Sequence, residues 1–171
     1  GDVGKLRAEV KSNLEREAQR RIKTRVREQV MEMLLKHSTL ELPQSLLGME
    51  IERLQKAMEA DMQSKGLQTM QLNADMFKGQ AERRVSLGLI LAELVQQHKL
   101  VAKPEQIRGL IEEQAQSYES PEEVVQWYYQ SPERMQEVEA LALEENVVAW
   151  VTGQAQVEEV TTTFEDLMGR P

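Results

Sequence analysis

Leu6, Val10, Leu14, Ala18, Ile22, Val26 and Val30 recur every four residues with no glycine or proline between them. That spacing predicts a helix over residues 3–37. Four residues advance a helix by 400°, so the apolar stripe creeps about 40° per step and circles roughly 240° in six steps. A coiled-coil seam alternates intervals of three and four. This stripe is therefore not one flat seam, and the helix is expected to meet different partners at its two ends. Residues 6–36 alone would span roughly 46 Å at 1.5 Å per residue. A compact sphere of 171 residues has a diameter near 40 Å, so an elongated molecule is expected.

Helical patterns fill most of the remaining chain. Pro43 suits the first turn of a second helix, in which Leu47, Ile51, Leu54, Met58 and Met62 recur at intervals of three and four and Gly66 supplies the stop. Asn73 or Asp75 is expected to cap a third helix over residues 76–98, whose run from Val85 to Val95 is apolar on most faces and so expected to be buried on several sides. The second and third helices most simply pair as a hairpin. Pro104 opens a fourth helix carrying Ile107, Leu110, Ile111, Ala115 and Tyr118. Ser120, Pro121 and Glu123 fit a capping box with proline at the first helical position, and Ser131 with Pro132 repeats the serine–proline pair. The short helix between them carries Val124, Val125, Trp127, Tyr128 and Tyr129. A last long helix is expected to end at Gly153. Residues 154–163 read as extended, and Thr163 can cap a final turn bearing Phe164, Leu167 and Met168.

Several chemistries are excluded by what the chain lacks. Zero cysteines remove disulfides, thiolate metal sites and cysteine nucleophiles. There is no phosphate-cradling G-x-G-x-x-G or G-x-x-x-x-G-K-[ST] loop and no G-x-S-x-G elbow, so neither ATP use nor serine hydrolysis is expected. No catalytic residue, cofactor or metal is predicted. No segment approaches 18 uncharged apolar residues, and no membrane contact is expected. The initial glycine and the abrupt helical start read as an excised fragment.

The polar residues that remain have ordinary readings. His37 and His98 stand at helix ends, where an imidazole bonds terminal carbonyls; neither has glutamate three residues before it, as a four-helix di-iron site requires. Glu112/Glu113, Glu122/Glu123 and Glu144/Glu145 are adjacent on helices and diverge by about 100°, so the members of a pair do not converge on one atom. Arg16, Arg20, Lys23 and Arg27 share a helical face that offers an anionic partner some purchase. Glu17 can neutralise Arg21, however, and no aromatic residue lies nearby for stacking, so nucleic acid is not the expected partner. Charge is graded along the chain. Residues 1–36 hold ten basic and six acidic side chains, residues 37–111 nine of each, and residues 112–171 two basic and fourteen acidic.

Methionine is the more informative signal. Seven of nine lie between residues 31 and 76. Thioethers fill irregular cores, but they also line surfaces that accept varied apolar partners. Met58 and Met62 sit at core spacing, whereas Met49, Met70 and Met76 fall off the clean stripe or near the hairpin tip. With their neighbours they give a candidate apolar contact surface of Met33, Leu34, Leu47, Met49, Leu54, Met58, Met62, Met70, Met76 and Phe77.

Five stretches in order resemble the C-terminal helical domain of the bacterial ribosome-associated chaperone trigger factor. They are L-R-A-E-V-K-S-N-L-E-R-E (6–17), E-R-R-V-S-L-G-L-I-L-A-E-L-V (82–95), I-R-G-L-I-E-E-Q-A-Q-S-Y-E-S-P-E-E-V (107–124), A-L-E-E (142–145) and T-T-F-E-D-L-M (162–168). The resemblance implies one all-α domain over residues 1–171, with a long N-terminal helix (3–37), two helical-hairpin arms (37–101 and 104–152) and a C-terminal extension (153–171). It further implies a cytoplasmic, ATP-independent chaperone whose helical cradle holds unfolded or nascent polypeptides. The family's ribosome-docking and prolyl isomerase domains lie outside this sequence. Ribosome docking by that route and isomerase activity are therefore not expected of it. Some apolar surface is expected to lack its partner, and self-association is a further expectation. The competing reading is a non-catalytic helical scaffold without clients.

Overall fold

Proline sets three of the helix starts, because its missing N–H costs nothing at a first helical position. In the computed structural model, which describes residues 2–67 and 72–169, the elements are α1 (Asp2–His37), α2 (Gln44–Ser64), α3 (Asp75–His98), α4 (Pro104–Ala115), α5 (Pro121–Tyr129), α6 (Pro132–Gln154) and α7 (Phe164–Met168). Pro104, Pro121 and Pro132 are the first residues of α4, α5 and α6. No strand occurs among the described residues, and the fold is all-α.

The helix ends follow local chemistry with a few departures. The α2 stop is a Schellman turn: Gly66 takes φ +67°, and the N–H of Leu67 donates to the carbonyl of Met62 at 3.0 Å. The Asn73 side-chain carbonyl accepts from the N–H of Asp75 at 3.1 Å and starts α3. Thr163 Oγ1 accepts from the N–H of Asp166 at 3.2 Å, and Ser131 Oγ from that of Arg134 at 3.4 Å. Ser120 makes no such bond. Its ψ of 78° falls short of the extended geometry that Ser131 reaches at 117°, so the capping box does not form. Gly153 does not end α6 either. Outside the left-handed region it simply continues the helix, which closes one residue later with Ala155 as C-cap. Tyr118 lies beyond α4, in a turn where its N–H donates to the carbonyl of Ala115 at 3.0 Å.

The chain forms two compact units, one of Gly1–Glu32 with Ala102–Pro171 and one of Met33–Val101. In the second, α2 and α3 pack as an antiparallel hairpin. Leu54, Phe77 and Ala81 form its buried centre, flanked by Ile51 and Leu72. Gln55 Nε2 donates to the Leu72 carbonyl at 3.0 Å and ties the inter-helix linker to α2. Between Val85 and Val95 only Ile90 is fully buried, the valines and leucines are half-covered and Ala92 is exposed, so this stretch is less enclosed than its composition predicts.

In the first unit α4, α5 and α6 pack on one another. Ile111 and Ala115 of α4 and Val138, Ala142, Val147 and Val151 of α6 are buried. The side-chain amide of Gln106 bridges α4 to α6, donating to the Ala142 carbonyl at 3.3 Å and to Asn146 Oδ1 at 3.1 Å. Arg27 of α1 pairs with Glu144 of α6 at 3.5 Å.

Candidate functional site

The α2–α3 hairpin separates its apolar residues into a core and an open set, and register decides which is which. Leu47, Ile51, Leu54, Met58 and Met62 share one face of α2. Glu50 lies level with Arg84, and Leu54 lies against Phe77 and Ala81. Continuing the antiparallel register, Met58 is level with the first residue of α3 and Met62 with the linker. Met58 is exposed although it sits at core spacing, while Met62 is half-buried.

Leu47, Leu54 and Phe77 are buried and belong to packing, so they are removed from the candidate surface. Met49 and Met76 are the most open thioethers of the set, at 68% and 72% exposure, and Met33 is exposed at the end of α1. Leu34 is half-buried. Met70 lies outside the described residues. Leu46 and Leu67 are exposed and were not singled out by spacing. Leu46 stands three residues before Met49, which makes them neighbours on the solvent face of α2. Leu67 directly follows the Gly66 turn that ends α2.

The hairpin that carries these side chains is braced by one carboxylate. Glu50 Oε1 accepts from Arg53 Nη2 at 2.7 Å and from Arg84 Nη1 at 3.2 Å, and Oε2 accepts from Arg53 Nε at 2.8 Å. The Arg53 fork, with Arg84 assisting against partial burial, holds the Glu50 carboxyl below the ordinary glutamate value of 4.5. Arg53 is raised in turn, first by its hydrogen bond to Glu50.

The other unit exposes a second apolar group that spacing did not flag. Three consecutive aromatics on α5 diverge by about 100° each, so one buried face cannot hold them all. Tyr128 is half-buried, whereas Trp127 and Tyr129, with Tyr118 before α5, are exposed. Trp127 meets Tyr128 edge-on, with centroids 5.1 Å apart. The Arg134 guanidinium lies 3.7 Å from the Trp127 centroid.

Among the described residues no group of three histidine or acidic side chains could hold a metal ion. His37 Nδ1 lies 2.9 Å from the Met33 carbonyl, in keeping with a helix-end role. Arg21 pairs with Glu17 at 3.3 Å and Arg27 with Glu144, which spends part of the basic face of α1 internally. What the arrangement offers is apolar side chains held in water on braced helices.

Comparison with known proteins places this arrangement. Residues 2–153 match the family described as bacterial trigger factor protein (TF) C-terminus. Over 170 residues the chain is 69% identical to the trigger factor of Thiobacillus denitrificans, covering 99% of this chain and 39% of that protein. It is 51% identical to the trigger factor of Aromatoleum aromaticum over 171 residues, and 46% identical to that of Nitrosomonas europaea over 170, each with the same coverage. The chain thus spans about two fifths of the length of the relatives it matches. With a family match over 152 of its 171 residues, the chain belongs to the bacterial trigger factor C-terminal family.

Proposed function

We propose that this chain is a chaperone module that holds unfolded or nascent polypeptide segments on apolar side chains, without nucleotide. The observation that carries this reading is the open set on the hairpin and at the end of α1: Leu46, Met49, Met58, Leu67 and Met76, with Met33, are exposed while a separate core keeps the hairpin folded. Dispersed, flexible thioethers suit many apolar sequences better than one. Each contact buries little area, at about 25 cal/mol per Å². Several weak contacts on one client add by multivalency. Unfolded chains expose the apolar segments that native chains hide, so binding favours them and delays aggregation by mass action.

Family membership supports the same reading through the relatives' name, and the mechanism requires no catalytic residue, cofactor or metal. We infer a cytoplasmic setting, a reading that rests on membership of the trigger factor family. Ribosome contact would then fall to other parts of a longer trigger factor. A second reading, a scaffold with fixed contacts, draws on the periodic open stripe of α1.

The test is dilution of a chemically unfolded apolar client with and without the chain, followed by light scattering. Suppression at near-stoichiometric ratio is expected. A Met49→Ser/Met58→Ser/Met76→Ser variant should keep its helical circular dichroism and lose much of the suppression. Unchanged scattering at excess chain overturns the proposal, and suppression by the triple variant equal to that of the parent overturns the assignment to these residues.

A further inference from the structure

Sulfur is divided unevenly between the inside and the outside of the Met33–Val101 unit. Its buried side chains, Leu47, Leu54, Phe77, Ala81 and Ile90, include no methionine, and neither do Ile51 and Leu72 that flank the central cluster. That cluster is built from α2, α3 and their linker alone. Met49, Met58 and Met76 are exposed, Met33 is less open at 37%, and Met62 is half-covered, so among the described residues of this unit no thioether is buried. Met31, two residues before the unit begins, is the contrast, at 6% exposure. The chain has no cysteine, so thiols do not compete with these thioethers for an oxidant.

We propose that Met49, Met58 and Met76 form a reversible oxidation site through which a peroxide switches the client-holding surface off, an inference that rests on the chaperone reading above. The thioether sulfur attacks the terminal oxygen of a hydroperoxide, the O–O bond breaks and an S–O bond forms. The proton on the transferred oxygen passes to the leaving hydroxide or alkoxide, which departs as water or an alcohol. Sulfur loses two electrons and the peroxide gains them. A dithiol-dependent sulfoxide reductase reverses the step, the oxygen leaving as water and the dithiol closing to a disulfide. A sulfoxide is polar, so a side chain that attracts clients by apolar burial loses that attraction once oxidised. Weak contacts that add on one client are lost together, which makes the response steeper than any one site gives. Oxidation of a thioether inside a core would disrupt packing. Here the core that holds the hairpin contains no sulfur, so the surface changes while the fold stays.

The test treats the chain with hydrogen peroxide, maps the sulfoxides by peptide mass spectrometry and, with the peroxide removed, repeats the light-scattering assay. Met49, Met58 and Met76 should gain oxygen ahead of Met31, and helical circular dichroism should be unchanged. Suppression of aggregation should fall severalfold and return after treatment with methionine sulfoxide reductase and a dithiol. The control is Met49→Leu/Met58→Leu/Met76→Leu, which keeps apolar area and helix propensity without the thioethers. It should suppress aggregation equally before and after peroxide. Suppression by the parent that survives oxidation of all three methionines overturns the inference and leaves the chaperone reading standing. A leucine variant that peroxide still inactivates overturns it too, because the switch then lies in other side chains. Oxidation of the three no faster than of Met31, or loss of helical signal in the oxidised parent, also overturns it. Unchanged scattering with excess untreated parent overturns the chaperone reading itself, and the switch with it.

Discussion

Glu50 of α2 accepts a hydrogen bond from Arg84 of α3 at 3.2 Å while its own helix neighbour Arg53 grips it with both arms of the fork. One carboxylate, with only 15% of its side chain exposed, therefore fastens the two helices that carry the open methionines. Bidentate arginine pairing at a partly covered site is the geometry in which a surface ion pair contributes measurably.

Replacing Glu50 by Gln should destabilise the hairpin by about 0.5–1 kcal/mol at neutral pH, since both guanidiniums stay half-exposed and solvated. The pH dependence follows from the sign of the shift. The carboxyl is lowered in the folded chain, so its contribution is fully present above the ordinary glutamate value of 4.5 and is lost as pH falls through the lowered folded value. Urea midpoints measured at about pH 7 and about pH 3 should converge for parent and Glu50→Gln at the acid end. A constant gap between them at both pH values would contradict this role.

Core side chains and open methionines of the hairpin should separate cleanly. Leu54→Ala and Phe77→Ala remove buried groups from the hairpin centre and should each cost about 2–5 kcal/mol, near the larger end for the aromatic. Met49→Ala and Met76→Ala remove exposed groups and should shift stability by about 0.5 kcal/mol or less. Thermal melts of the four variants decide the matter. A large loss at Met49 or Met76 would mean that these thioethers pack against something.

Much of this architecture is legible in the sequence because local devices announce themselves. Gly66 in a left-handed turn, Pro104, Pro121 and Pro132 at helix starts and Thr163 as a cap all act through the backbone within a few residues. The hairpin is read from two amphipathic patterns and a linker. What spacing does not reveal is whether anything lies opposite a face. Met58 shares the face of Leu54, yet one is exposed and the other buried. The same applies to α1, where Val3, Leu6, Val10, Leu14 and Ile22 stay open, Ala18 is half-covered and Val30 and Met31 are buried. Capping depends on a ψ angle set by the preceding turn, which is why Ser131 bonds its helix and Ser120 does not.

Lys99 ends α3 in the left-handed conformation, with φ 50° and ψ 43°, and the N–H of Leu100 donates to the Val95 carbonyl at 3.0 Å. This closes the same Schellman turn that Gly66 closes for α2, but with a side chain that pays a steric penalty of about 1 kcal/mol or more. Lys99→Gly should therefore stabilise the chain by about 0.5 kcal/mol, the relief exceeding the added chain entropy of glycine. Lys99→Val should destabilise it by more than that. Denaturant midpoints of the pair give the test, and a loss of stability in the glycine variant would refute it.

Arg134 links the start of α6 to the end of α5 in two ways at once. Its guanidinium lies 3.7 Å from the Trp127 centroid, and Nη1 donates to the Trp127 carbonyl at 2.5 Å. That carbonyl is among the last of α5, where a cation also complements the helix dipole. Arg134→Ala removes both contacts and should cost about 1 kcal/mol, with the indole left more solvated and free to leave its edge-on packing with Tyr128. Arg134→Lys keeps the charge but not the flat face, so it should recover the dipole contribution and little of the stacking. The second tryptophan, Trp150, must be replaced by Phe so that fluorescence reports Trp127 alone. Emission should shift to longer wavelength in the alanine variant and remain shifted in the lysine variant. If lysine restored the parent spectrum, the contact would be one of charge rather than of a planar cation on a ring.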